Sequence, residues 1–173
     1  MAAGGGRGHL VSEQPAQDFA NAAAQLYLGG VANVTWERAI SDLSAADAGR
    51  RPAGLPHSAA QIVAHVQFWQ HYLLAVIAGE NPPAVAHAAE GWPAGELPAG
   101  EWEALRDRFL RDAQRLRDLT LDASLTASPD RKGRPYAVAL TNSAGHSVYH
   151  LGQVVTVRQA LGLWPPVGGG ATW

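Results

Sequence analysis

Apolar residues recur three and four positions apart along most of this chain, and the recurrence divides it into helices joined by glycine- and proline-rich connections. Phe19, Ala23, Leu26 and Tyr27 share one side of the stretch from Pro15 to Leu28, which predicts a first helix. Gly29-Gly30 interrupts it, because a glycine costs about 1 kcal/mol in a helix interior. The stripe resumes past Asn33 or Thr35, either of which suits a cap, with Trp36, Ala39, Ile40 and Leu43. One kinked helix or two short ones both satisfy that pattern. Ser58 followed three residues later by Gln61 is a capping-box signal. It opens a helix that runs to about Ala78 with Ile62, Val66, Trp69, Leu73 and Ile77 facing inward, and Gly79 supplies the stop. A third helix is expected from Glu101 to about Leu121, carrying Trp102, Leu105, Phe109, Ala113, Leu116 and Leu119. The last should open near Thr141–Ser143 and close at Gly162, ahead of Trp164-Pro165-Pro166.

Between these elements the periodicity lapses. The stretch from Glu80 to Gly100 is rich in proline, glycine and alanine, and its length suits a crossover between helices that are not antiparallel neighbours. Asp122 to Ala139 forms a second connection with a turn at Pro129-Asp130 and Gly133. Only around 126–136 is there a hint of strand-like alternation. The reading is therefore all-α: a four-helix bundle with a long crossover between the second and third main helices. Residues 15–166 form a single domain, flanked by flexible tails at 1–14 and 167–173.

Composition narrows the partners. Hydrophobic residues make up 47% of the 173 and charged residues 16%, the balance of a packed globule. Net charge is −2 with no block of like charge, so neither nucleic acid nor an anionic membrane is expected as a partner. No apolar run is long enough to span a bilayer, and the first residues lack a signal-peptide core, which points to the cytoplasm. Cysteine is absent, excluding disulfides, thiolate ligands and a protein-borne sulfur nucleophile. Any metal must be held by His, Asp or Glu.

The candidate chemistry lies in the histidines. His146 and His150, four apart, sit on one face of the last helix, continued by Gln153, Val154, Val157 and Leu161. His65 borders the buried stripe of the second main helix, whereas His71 is about 240° around from it and cannot share a site. His57 and His87 belong to loops and His9 to the tail, where solvent is the expected surrounding. Three inward imidazoles on facing helices suit a divalent metal with an open position, among them zinc, nickel, iron or manganese. Core histidines satisfied by ordinary hydrogen bonds fit the same spacing equally well. Glu37 is a general-base candidate beside a more ordinary solvated role. The loop cluster Arg131, Lys132 and Arg134 suits either solvent or an anionic group. Gly145 and Gly152 leave a smooth strip for close approach of another helix.

The run LPHSAAQIVAHVQFWQHYL, then GWP, EWEALRDRF and GHSVYHLGQVVTVRQALGLWPP, resembles the DinB-like metal-binding bundle family over about residues 33–166. The resemblance implies a helical bundle with a long crossover, often a homodimer. It also implies a divalent metal held by one histidine of the second main helix and two of the last, here His65, His146 and His150. Enzymes of that family include S-transferases using low-molecular-weight thiols such as bacillithiol or mycothiol, and a maleylpyruvate isomerase; many members have no assigned reaction.

The expectation is thus a metal-dependent enzyme, of S-transferase or hydrolase type, acting on a small-molecule substrate. Its metal would activate a thiol cosubstrate or water. Gln153 and Tyr149 would orient a ligand or an imidazole, and Trp36 and Trp69 would wall the pocket. The alternative is a stress-response protein that holds a metal or ligand without turnover.

Overall fold

A computed structural model describes residues 10–98 and 100–166. Of the expected tails at 1–14 and 167–173, residues 1–9, His9 included, and 167–173 lie outside the described residues, whereas 10–14 are not a flexible tail but the start of a helix. The helices are α1 (Leu10–Gln25), α2 (Trp36–Ile40), α3 (Ala45–Gly49), α4 (Ala59–Ile77), α5 (Trp102–Thr120), α6 (Ala123–Ala127) and α7 (Tyr136–Ala160), with a 3₁₀ turn at Ala88–Gly91. Among the described residues there is no β-strand; the hint near 126–136 amounts to one bridge between Pro129 and Pro135. The chain is all-α, as its pattern predicts.

Local chemistry sets most boundaries. The Ser58 hydroxyl accepts from the Gln61 amide while the Gln61 side chain accepts from the Ser58 amide, so both halves of the capping box open α4. At its other end Gly79 takes φ +83°, a conformation that side chains with a Cβ rarely adopt. The first stripe is broken into separate pieces. Gly29 adopts φ +76°, and a Cβ there would lie 2.3 Å from the Val34 carbonyl oxygen, so the chain reverses tightly before Thr35 caps α2. Two expected starts shift. The first helix begins at Leu10, upstream of Pro15, because a proline near a helix start forfeits a backbone bond that solvent can replace. The last helix begins at Tyr136 with Pro135 as its cap, since Leu140 is buried and draws the preceding turn into regular structure.

The long helices close a ring in which α4 packs on α5 and α7, and α1 packs on the same two. Helices α4 and α5 run parallel. Ala60 and Trp102 border one cavity, Gln67 donates to Asp112 midway, and Leu116 packs with Leu73, Leu74 and Ile77 at the far end. The crossover is what this parallel pair requires, because its chain must return the full helix length before α5 begins. Helix α7 runs the opposite way, bringing Val157 beside Ile62 and His146 beside His65. The larger core cluster holds Trp36, Ile40, Val63, Phe109, Leu151 and Val154; the smaller holds Tyr27, Leu116, Leu140 and Ala144. Tyr27 donates to the Leu140 carbonyl, and burial pushes its phenol up to about 12. Gly145 and Gly152 meet nothing within 4 Å, so among the described residues no helix uses the strip they leave.

One polar group ties the short helices to α7. Arg158, 2% exposed, makes a two-pronged ion pair with Asp42 at 2.7 and 2.9 Å. Its remaining donors reach the carbonyls of Ala39 and Leu163, and its guanidinium lies 5.3 Å from the Trp164 ring. The planar fork of arginine suits this because it presents several donors in fixed directions. The C-terminal turn, α2 and α7 are therefore fixed to one another at a single side chain.

Candidate metal centre

Helix periodicity places His65 on α4 and the pair His146 and His150 on α7 at the same height. The His146 Nε2 lies 3.2 Å from the His65 Nε2 and 3.0 Å from the His150 Nε2. One ring nitrogen from each histidine lies within 4.8 Å of the others. The opposite nitrogens decide the tautomers. His65 Nδ1 lies 2.9 Å from the Gly91 carbonyl oxygen, and His150 Nδ1 lies 2.6 Å from the Gln153 Oε1. Both contacts require Nδ1 to carry the proton, which leaves both Nε2 atoms as lone pairs aimed inward. One proton on the His146 Nε2 can serve only one of these neighbours. A cation among the three can serve all of them: the two separations from the His146 Nε2, 3.2 and 3.0 Å, are near the ~3.3 Å kept by two nitrogens about 2.0–2.1 Å from one tetrahedral ion, and the third pair lies within 4.8 Å. The donor set therefore fits a divalent metal.

Electrostatics agrees with the geometry. Burial, and then the neighbouring imidazoles, push the pKa of His146 from 6.5 down to about 4. Burial likewise lowers His150 to about 4, against the raising effect of its bond to Gln153. His65 is lowered by burial too, with the Gly91 carbonyl pulling the other way. At neutral pH all three rings are uncharged, the form in which imidazole binds metals. Among the described residues no carboxylate joins the cluster, so they leave a bound ion's charge uncompensated.

The crossover completes the site in a way that its residues alone do not reveal. The Trp92 ring stacks on His65 at 3.9 Å and on His57 at 3.7 Å, with interplanar angles of 8° and 12°. His57, expected at the loop surface, is instead half-buried as the outer layer of this sandwich, and burial lowers its pKa. Gly91 is needed because the backbone passes hard against α4. A Cβ there would lie 2.7 Å from the Trp69 Nε1, while the same residue's carbonyl orients His65. The GWP string is visible in the sequence, but nothing in it says where it docks.

Other candidates fall in several places. Trp69 lines the cavity in front of the histidines. Trp36 does not reach that cavity; it is fully buried, edge-on to Phe109 at 4.6 Å, and donates from Nε1 to the Ser147 hydroxyl at 2.8 Å. It braces α7 from behind the histidine pair, because the reversal at Gly29-Gly30 turns α2 into the core. Gln153 bonds His150 directly, and its amide nitrogen donates to the Tyr149 hydroxyl at 3.1 Å. Tyr149 itself is 64% exposed. Glu37 and His71 are exposed and apart from the cluster, and His87 caps the 3₁₀ turn through its Nδ1. Two of the three basic loop side chains are occupied internally. Arg134 pairs with Asp130, and Arg131 contacts Asn81 and the Glu80 carbonyl.

The cavity in front of the histidines measures about 580 Å³. All three histidines open onto it, together with Trp69, Tyr72 and Trp92. A second cavity of about 200 Å³, lined by His57, Ile62 and Gln153 among others, lies behind the Trp92 layer. Among the described residues no helix is long and apolar enough to cross a membrane.

Residues 32–154 match the family model of the DinB superfamily. That span covers most of the chain and includes all three histidines, so the protein belongs to the DinB superfamily. No curated protein and no solved structure matches it.

Proposed function

We propose that His65, His146 and His150 hold a divalent metal ion and that the protein is a metal-dependent enzyme of S-transferase or hydrolase type. The observation that carries this reading is the pair of outward Nδ1 bonds, which turns the Nε2 lone pairs of His65 and His150 toward the His146 Nε2 beside an open cavity. Structural metal sites are usually closed by four protein ligands, whereas three histidines leave a position free. When bound, the ion supplies Lewis acidity toward a small nucleophile, a thiol cosubstrate or water. The nucleophile comes from outside the chain if it is sulfur, because the protein has no cysteine.

The chain's own residues do the positioning. Gly91 and Gln153 hold the protons that fix two tautomers, and Trp92 covers the face of His65 from solvent. Trp36, through Ser147, keeps α7 seated so that the His146 and His150 rings face α4. The second reading, a metal or ligand binder without turnover, is favoured by one observation. Among the described residues, no Asp or Glu lines the cavity to move a proton.

Elemental analysis of untagged protein and zinc titration by competition with a chromophoric chelator test the metal. One equivalent is expected, and His146→Ala should weaken binding by about a hundredfold or more, since it removes one of three ligands. Wild-type protein without affinity for zinc, nickel, iron or manganese would overturn the proposal. Thiol-transfer and hydrolysis assays comparing wild type with His150→Ala then separate enzyme from binder.

A further inference from the structure

The cavity in front of the histidines has a lining whose chemistry is unusually uniform. Its walls are Trp69, Tyr72, Leu73, Ala88 and Ala139, closed by the edge of Trp92, whose two faces are already taken by His57 and His65. Among the described residues no Asp, Glu, Lys or Arg borders it. The histidines form its floor. Besides them, the polar side chains on the wall away from the indoles are Asn142 and Ser143, and Ser143 also meets the Tyr27 phenol. About 580 Å³ is room for a drug-sized molecule.

We propose that this cavity takes an uncharged aromatic body with one hydrogen-bonding group directed at Asn142 and Ser143. A charged ligand body would be desolvated here with no counter-charge from the chain, and a polyhydroxylated one would lose water bonds against indole and phenol rings. An aromatic body replaces water along three aromatic side chains and leaves few polar groups unpaired. The substrate's size and polarity are thus set by α4, α7 and the crossover. This deepens the enzyme reading and rests on it only for the reacting end of the ligand, which meets the histidines. It also separates the substrate from any sugar-bearing thiol, whose polar body does not match this wall.

Calorimetric titration of the full-length, metal-free protein with 2-naphthol, 2-naphthalenesulfonate and methyl glucoside tests the assignment. Saturable binding of 2-naphthol is expected, with the other two about tenfold weaker or more. Ala139→Trp, which fills the cavity without touching a histidine, should abolish 2-naphthol binding. Tyr72→Lys, at a half-buried position from which a lysine can reach water, should weaken 2-naphthol and strengthen the sulfonate. Circular dichroism establishes that each variant is folded, and Tyr72→Lys carries the test if Ala139→Trp is not. Equal binding of the sulfonate or the glucoside, or no saturable binding of 2-naphthol, overturns the proposal. So does a Tyr72→Lys protein with unchanged preference. Zinc titration of the same preparation keeps the two readings apart. Naphthol selectivity without zinc affinity removes the metal and upholds the cavity assignment, and zinc affinity without naphthol binding does the reverse.

Discussion

Two buried polar clusters sit on α7, with about two turns of helix between His150 and Arg158, and they are built on opposite principles. Around Arg158 every strong donor has an acceptor: Asp42, the Ala39 carbonyl and the Leu163 carbonyl absorb the whole guanidinium. Around His146 the acceptors outnumber the donors, because Gly91 and Gln153 have drawn two ring protons outward. A cluster complete within the chain stabilises it. One left short of positive charge costs stability until something arrives, and that asymmetry is why the histidine cluster is the one proposed as the functional site.

The comparison breaks most sharply at Arg158. Replacing it by Met removes the guanidinium from the Asp42 carboxylate and from two carbonyls. Removing one member of a buried pair costs about 3–5 kcal/mol. Asp42 is 30% exposed, so solvent softens the loss and about 3 kcal/mol is expected in urea denaturation. Zinc affinity of the folded fraction should be unchanged; a large loss would mean that the two clusters are coupled.

A smaller effect is expected at Gln153. Gln153→Ala keeps all three candidate ligands but frees the His150 Nδ1 proton, which should cost about 10–100-fold in zinc affinity. An unaltered affinity would show that the 2.6 Å contact does not set the tautomer.

The gentlest test is pH. In the unfolded chain histidines titrate near 6.5, whereas folding holds His146 and His150 down near 4. Between those values the unfolded state binds more protons, so the stability of the metal-free protein is full above about 6.5 and falls as pH drops toward 4. His146→Ala should flatten that slope, and Arg158→Met should leave it. A flat wild-type profile would place the histidines in solvent.

These clusters also show how far a sequence can be read. The body of α4 is legible to within a residue at both ends, because Ser58, Gln61 and Gly79 act on their own neighbours. The convergence of His65 with His146 and His150 is legible as a face, since helical periodicity carries a side chain's direction over any length. The start of α7 is not, because Pro135 caps it without a side-chain bond. Trp36 belongs behind the helix and not in the pocket wall, because its direction depends on a reversal whose path only the fold decides. Gly91, Trp92 and His57 escape a reading of the sequence as parts of the site for the same reason: a crossover without periodicity says nothing about which helix it leans on.

That crossover has a consequence for anyone wishing to shorten or graft it. Surface connections usually accept deletions, and Pro82 to Ala86 should follow that rule, whereas Glu80 and Asn81 are held by Arg131 and Gly95 by Gln61. Trimming that shifts Gly91-Trp92 by even one residue would strip His65 of the carbonyl that steers it and the ring that covers it. The three imidazoles would still be encoded, yet one would be free to rotate away, and metal affinity would then depend on loop length with no ligand changed.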